Sequence, residues 1–198
     1  GNAFKLGALT GLRREELLLL RWCDLIYESN GSKYMIVSDI KVNRLQNRVS
    51  EDEKKYKYLP ISSSLENLLQ DLGQQKYAGS DSFVLEPELK INRKRVMADA
   101  LSRGFSHYYS LLGTNKRLTF KSLRKNFITQ LEIYMGRGNT KQISGHTNDA
   151  VIDENYIDKV AVAKSAQSFD PFPEDPKRAH DLHNIRIKRE SETKNREI

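Results

Sequence analysis

In several stretches of this chain apolar residues recur every three or four positions, and two short stretches are rich in aromatic and β-branched residues. Leu9, Leu17, Leu18 and Leu20 lend apolar faces to residues 3 to 21, which read as a helical hairpin or two short helices around Gly11. Ser62 or Ser63 is placed to cap a helix carrying Leu65, Leu68, Leu69 and Leu72, with Glu66 in its first turn. Longer helical patterns cover residues 92 to 112 and 119 to 135. Leu112-Gly113-Thr114-Asn115 stops the first, and Gly136-Arg137-Gly138 breaks the second. Short helices are expected over Gln142 to Ser144 and Val151 to Tyr156.

Tyr34 to Val37, a continuous apolar run, and Tyr56 to Ile61 each predict a strand. Pro60 confines the second to an edge or marks its end. Ser29-Asn30-Gly31-Ser32 is a turn signal before the first. The polar link over residues 42 to 55 is long for a hairpin and is expected to be mobile. Ser82 to Leu85 adds a short apolar run. Together these elements predict an α+β fold, mainly α-helical, with a small antiparallel sheet of two or three strands near residues 33 to 61.

The character changes after Phe169. Asp170 to Pro176 holds three prolines, and the 28 residues from Pro171 carry seven Lys/Arg and six Asp/Glu with few apolar residues between them. Such a segment buries too little to fold alone and is expected to be extended or disordered. The chain therefore divides into a domain over residues 1–169 and a Pro-rich, charged tail over 170–198. It opens abruptly, with Gly1 beside a core helix, as a piece of a longer protein would.

Composition narrows the class. No apolar run approaches the ~20 residues of a membrane span, and no signal peptide is visible, so a cytoplasmic protein is expected. A single cysteine excludes an internal disulfide framework and a Cys-rich zinc site. Cys23, following Trp22 in an apolar run, is expected to be a buried small hydrophobe. The formal net charge is +7, which suits a polyanionic partner. Charge is also unevenly placed: from Ala100 to Leu131 there are six Lys/Arg and no Asp or Glu. A solvated helix face normally mixes both signs, so this run favours a surface that meets phosphates. Lys116, Arg117 and Lys125 within it, and Arg93, Lys94 and Arg95 extending it before Ala100, are the candidate DNA-binding residues.

The chemistry lies in an ordered set of residues. Thr10-Gly11-Leu12-Arg13-Arg14-Glu15-Glu16-Leu17 opens it, Lys121-Ser122-Leu123-Arg124 follows, and Gly145-His146 precedes Tyr156. Two arginines, a lysine, a histidine and a tyrosine suffice to attack a phosphodiester without a metal. Arginine forks donate to the non-bridging oxygens, and tyrosine supplies the nucleophile. Each piece has a plainer explanation. Lys121 and Arg124 fit the polar face of a helix burying Phe120, Leu123 and Phe127; Gly145-His146 fits a helix end; Tyr156 fits a core edge. Arg14 is expected to point to solvent. His180 and His183 lack a third ligand, so no metal is implied.

In order and spacing, these stretches resemble the tyrosine recombinase family of phage-integrase-like enzymes, across nearly all of residues 4 to 158. The resemblance implies the DNA breaking-rejoining catalytic-domain fold and site-specific strand exchange through a 3′-phosphotyrosine, with no cofactor. Arg13 and Arg124 match the phosphate-clamping arginines, Glu16 the acidic brace, His146 a donor to a non-bridging oxygen and Tyr156 the nucleophile. Lys121 stands where the family usually has histidine. Lysine donates to phosphate, but it is not a neutral base near pH 7 unless its pKa is strongly lowered. The family's general-acid lysine sits between its strands; Lys41 falls at the expected offset, with Lys54 and Lys55 as rivals. The implied partners are double-stranded DNA and copies of the chain, as a tetramer on DNA and a monomer alone. The implied role is integration or excision of a mobile element. A type IB topoisomerase-like enzyme and a catalytically silent DNA-binding protein of the same fold are the alternatives.

Overall fold

The computed structural model describes residues 1–136, 139, 140, 143, 164, 167 and 169–171. The first helical pattern is divided by Gly11, as expected. α1 (Asn2–Thr10) ends where Gly11 turns left-handed, at φ 62°, and donates its N–H to the Gly7 carbonyl at 3.0 Å. Side chains enter that conformation only at a cost. A Cβ here would also lie 2.4 Å from Phe127 Cδ1, so packing requires glycine as well. α2 (Arg14–Leu19) follows. Glu16 in its first turn reaches back to accept the Arg13 N–H at 2.9 Å, which satisfies a donor left over at the helix start.

The sheet has three antiparallel strands in the order β1 (Leu25–Tyr27), β2 (Lys33–Ser38), β3 (Tyr56–Pro60). It therefore begins before the expected limit at residue 33. The Ser29–Ser32 turn closes β1 onto β2, with Glu28 N–H bonded to the Ser32 carbonyl at 2.9 Å. Pro60 ends β3 at the sheet edge, where its missing N–H costs no ladder bond. Val37 pairs with Lys57 and Met35 with Leu59.

The connection between β2 and β3 is folded, in contrast to the mobile link expected from its composition. Asp39 caps α3 (Ile40–Leu45), its Oδ1 accepting the Val42 N–H at 3.2 Å. The buried Asn43 amide then clamps the returning chain. It donates to the Lys55 carbonyl at 3.0 Å and accepts the Lys55 N–H at 2.7 Å.

Beyond the sheet, Ser62 caps α4 (Ser63–Asp71) by accepting the Leu65 N–H, and α5 (Gln74–Tyr77) follows. Phe83 and Val84 are buried, and Phe83 bridges back to Arg21. The two long helical patterns become α6 (Lys94–Ser110) and α7 (Phe120–Met135). α1 packs against both α7 and α4, and α2 packs against α6. Leu6, Leu17, Met35, Leu65, Leu69 and Leu131 meet in the core with no exposed surface. Each such burial stabilises by ~1.5–3 kcal/mol.

Ile143 and Phe169 join the same core. Phe169 stands edge-on to Phe127, with centroids 5.6 Å apart, and tilts against Tyr134 at 5.4 Å. Asp170 accepts a hydrogen bond from the Ser64 hydroxyl, and Pro171 is buried. Cys23 corrects the sequence reading. Trp22 takes the buried place in a tight 3-10 turn and Cys23 faces out, its Sγ 3.5 Å from Asp81 Oδ1. The helices expected over Gln142–Ser144 and Val151–Tyr156, His146 itself, and the tail after Pro171 lie outside the described residues. Among the described residues no helix is long and apolar enough to cross a membrane.

Candidate DNA-cleavage site

Arg13 stands at the cap position of α2, where the turn after Gly11 aims its side chain between that helix and the sheet. Its Nη1 donates to Glu16 Oε1 at 2.8 Å and to Asp39 Oδ1 at 3.2 Å. Among the described residues nothing bonds its Nε or Nη2, and 27% of the side chain stays exposed. One edge of the fork is anchored and the other is presented to the cleft.

Arg124 comes from α7 and donates through Nη1 to the Gly11 carbonyl. Burial lowers its pKa, and the like charge of Arg13 adds to the shift. Guanidinium starts so high that it stays charged near neutrality. Two arginines distant in sequence are thus brought together by the contact of α1 with α7. Lys121, one turn before Arg124 on α7, is exposed.

Lys41 lies in the first turn of α3, on the other wall. Arg13, Lys41, Lys121 and Arg124 line one open cleft of about 780 Å³ with Arg14 and Arg44, against two carboxylates, Glu15 and Glu16. The excess of cations makes it a receptor for an anion such as a phosphodiester. The rivals of Lys41 do not line it. Lys54 pairs with Glu51, and the Lys55 main chain is held by Asn43. Arg14 is exposed, as expected, and from the surface it donates to Ser102 Oγ at 2.6 Å and to the Ala98 carbonyl at 3.3 Å on α6. It joins α2 to the helix it packs on.

The residues proposed to hold DNA lie on or beside α6, α7 and their connection, and none of them lines this cleft. Arg93 is exposed just before α6, and Lys94 and Arg95 begin it, with no acidic residue in that first turn. Cations at a helix N-terminus oppose its dipole by ~0.3–1 kcal/mol each, a cost that a bound polyanion would relieve. Lys116 and Arg117 are exposed in the connection before α7, and Lys125 is exposed on α7.

A model of the phage integrase family matches residues 2–161. The chain belongs to the phage integrase family. Tyrosine recombinases form that family, and DNA is the partner membership implies. The match runs through the positions of His146 and Tyr156, which lie outside the described residues. No curated protein and no solved structure matches the chain.

Two side chains of this integrase-family site were missed in the sequence. Lys57, on β3, is 1% exposed, and its ammonium pairs with Glu16 Oε1 and lies 3.6 Å from Asp39 Oδ2. Asp39 is 3% exposed. Burial alone would raise the Glu16 carboxyl; Lys57, its hydrogen bond and Arg13 outweigh this and bring it below the usual carboxylate value. Burial lowers the Lys57 pKa, and Glu16 and Asp39 oppose that shift. A signal did exist. Lys57 is two residues from Leu59, so strand alternation puts both on the buried face.

Proposed function

We propose that this chain is the catalytic part of a site-specific DNA recombinase that cuts and rejoins strands in integration or excision of a mobile element. The observation that carries this reading is the convergence of Arg13, Lys41, Lys121 and Arg124 on one cleft, from elements far apart in sequence. In this reading Arg13 and Arg124 fork onto the non-bridging oxygens of the scissile phosphate and stabilise the charge that builds there. His146 and Lys121 donate to the same oxygens. Tyr156 loses its proton to solvent and attacks phosphorus. Its oxygen bonds to the 3′ phosphate as the bond to the 5′ oxygen breaks. Lys41 passes a proton to that leaving oxygen. The phosphotyrosine conserves the bond energy, and attack by a 5′ hydroxyl reverses the step without ATP.

The test is covalent trapping on a nicked suicide DNA bearing the ends of the element that encodes the chain. A DNA-linked band on a denaturing gel, lost in Tyr156→Phe, is expected. DNA binding without any band, in the protein with all its domains, would leave the catalytically silent binding protein as the better reading. Relaxation of plasmid by a monomer, with no strand exchange, would favour the type IB topoisomerase-like one.

A further inference from the structure

The charges beneath the cleft balance. Arg13 and Lys57 face Glu16 and Asp39, and all four are joined. Glu16 Oε1 accepts from both cations, Arg13 Nη1 reaches both carboxylates, and Lys57 Nζ lies 3.6 Å from Asp39 Oδ2. Lys57 does not line the cleft. It is also the least expected member, because a fully covered ammonium on a sheet is costly unless its charge is needed.

We propose that Lys57 is a positioning residue for the phosphate clamp. It neutralises Glu16 and Asp39 from below, so that these carboxylates hold Arg13 in place without cancelling its charge toward the cleft. Without Lys57, the two buried carboxylates would keep the hydrogen bonds of Arg13 and the nearby charge of Arg124, with no cation beneath them. They would draw Arg13 inward and remove the positive charge that an anion meets. Asp39 extends the effect to the opposite wall, since the same carboxylate caps the helix carrying Lys41. This inference rests on the recombinase reading for its consequence in catalysis, but its physical core is anion binding.

The experiment therefore uses inorganic sulfate alone, whose charge does not change near neutral pH. It is titrated into the full chain and followed by NMR at the Arg13 side-chain Nε–Hε signal. Lys57→Met is expected to weaken sulfate binding about tenfold, the order of one lost charge-assisted contact. Lys57→Arg should restore it. The double variant Lys57→Met with Asp39→Asn should also restore it, because charge balance returns while the amide oxygen still caps Val42. This double variant folds without a buried net charge, so it keeps the test open if Lys57→Met alone is unstable.

In Lys57→Met, binding should recover as acid protonates Glu16. The other charged groups facing Glu16 and Asp39 are Arg13 on α2 and Arg124 on α7, with Lys41, Arg44, Lys121, Arg14 and Glu15 around the cleft. All of these are cations except Glu15. Glu15 is already paired with Arg44 at 2.5 Å. Sulfate binding that ignores Lys57→Met, or a double variant that stays as weak as the single one, overturns the inference. If wild type binds sulfate at Arg13 with this dependence but forms no phosphotyrosine, the inference stands and the recombinase reading falls.

Discussion

Arg124 on α7 donates a hydrogen bond to the main-chain carbonyl of Gly11, and Gly11 in turn leaves room for Phe127, one turn further along α7. A single turn between α1 and α2 therefore sets both where α7 lies and where its arginine is aimed. Gly11→Ala tests this double dependence. The left-handed backbone and the 2.4 Å approach to Phe127 should together cost at least ~2 kcal/mol in chemical denaturation. Affinity for sulfate should fall as well, because Arg124 moves with α7. A stability change below ~0.5 kcal/mol would show that the turn adapts.

Lys41 as the proton donor makes a separable prediction. Lys41→Ala should slow cleavage of ordinary DNA by ~10²–10⁴-fold, the usual worth of general acid catalysis. A substrate with sulfur at the bridging 5′ position has a leaving group that departs without a proton. It should be cut by Lys41→Ala nearly as fast as by wild type. Arg124→Ala should be slow on both substrates, because charge on the non-bridging oxygens builds in either case. Lys54→Ala and Lys55→Ala should behave as wild type.

Glu16 makes the fold sensitive to acid. Its carboxyl titrates below the ordinary value of 4.5, so its stabilising contribution is complete above that pH and is lost as pH falls through the lowered folded value. Wild-type stability should therefore drop below about pH 4.5 more steeply than that of Glu16→Gln. The variant should be less stable at neutral pH, because Lys57 and Arg13 lose their shared anion. Parallel acid-unfolding curves for the two proteins would contradict the assignment.

Among the described residues after the Tyr156 position, Lys164 pairs with Glu28, Gln167 donates to the Lys33 carbonyl and Phe169 packs in the core. Phe169→Ala should cost ~3–5 kcal/mol, as for other large aromatic side chains removed from a core. Deleting residues 172–198 spares Phe169, Asp170 and Pro171, and should leave thermal stability nearly unchanged. A tail too poor in apolar residues to pack on itself is suited to dock on a neighbouring subunit, so the deletion should weaken assembly on DNA. Unchanged assembly in a gel-shift series would remove the tail from that role.

Much of this architecture was legible in the sequence, for identifiable reasons. α6 and α7 are long enough to show a helical period, and Gly113 and Gly136 end their patterns clearly. β1 was missed because three residues are too few to show alternation. Cys23 was misjudged because the 3-10 turn that puts Trp22 inside and Cys23 outside depends on tertiary packing. Arg13, Lys41, Lys121 and Arg124 were named from the resemblance to the tyrosine recombinases, and they line one cleft. Lys57 and Asp39 were not named, because a lysine among tyrosines looks like an ordinary solvent-facing residue until the partner strand shows which face is covered.

The buried ammonium of Lys57 also bears on how β2 and β3 find each other. A short turn dictates strand alignment by its own geometry, but residues 39–55 are too long a connection to do so. Apolar alternation leaves a choice too, since a shift by two residues keeps every side chain on its face. Such a shift would carry Lys57 ~6.6 Å along the strand, away from Glu16, and strand an unpaired charge in the core. The same lysine that balances the cleft thus selects one alignment of the sheet against its nearest rival.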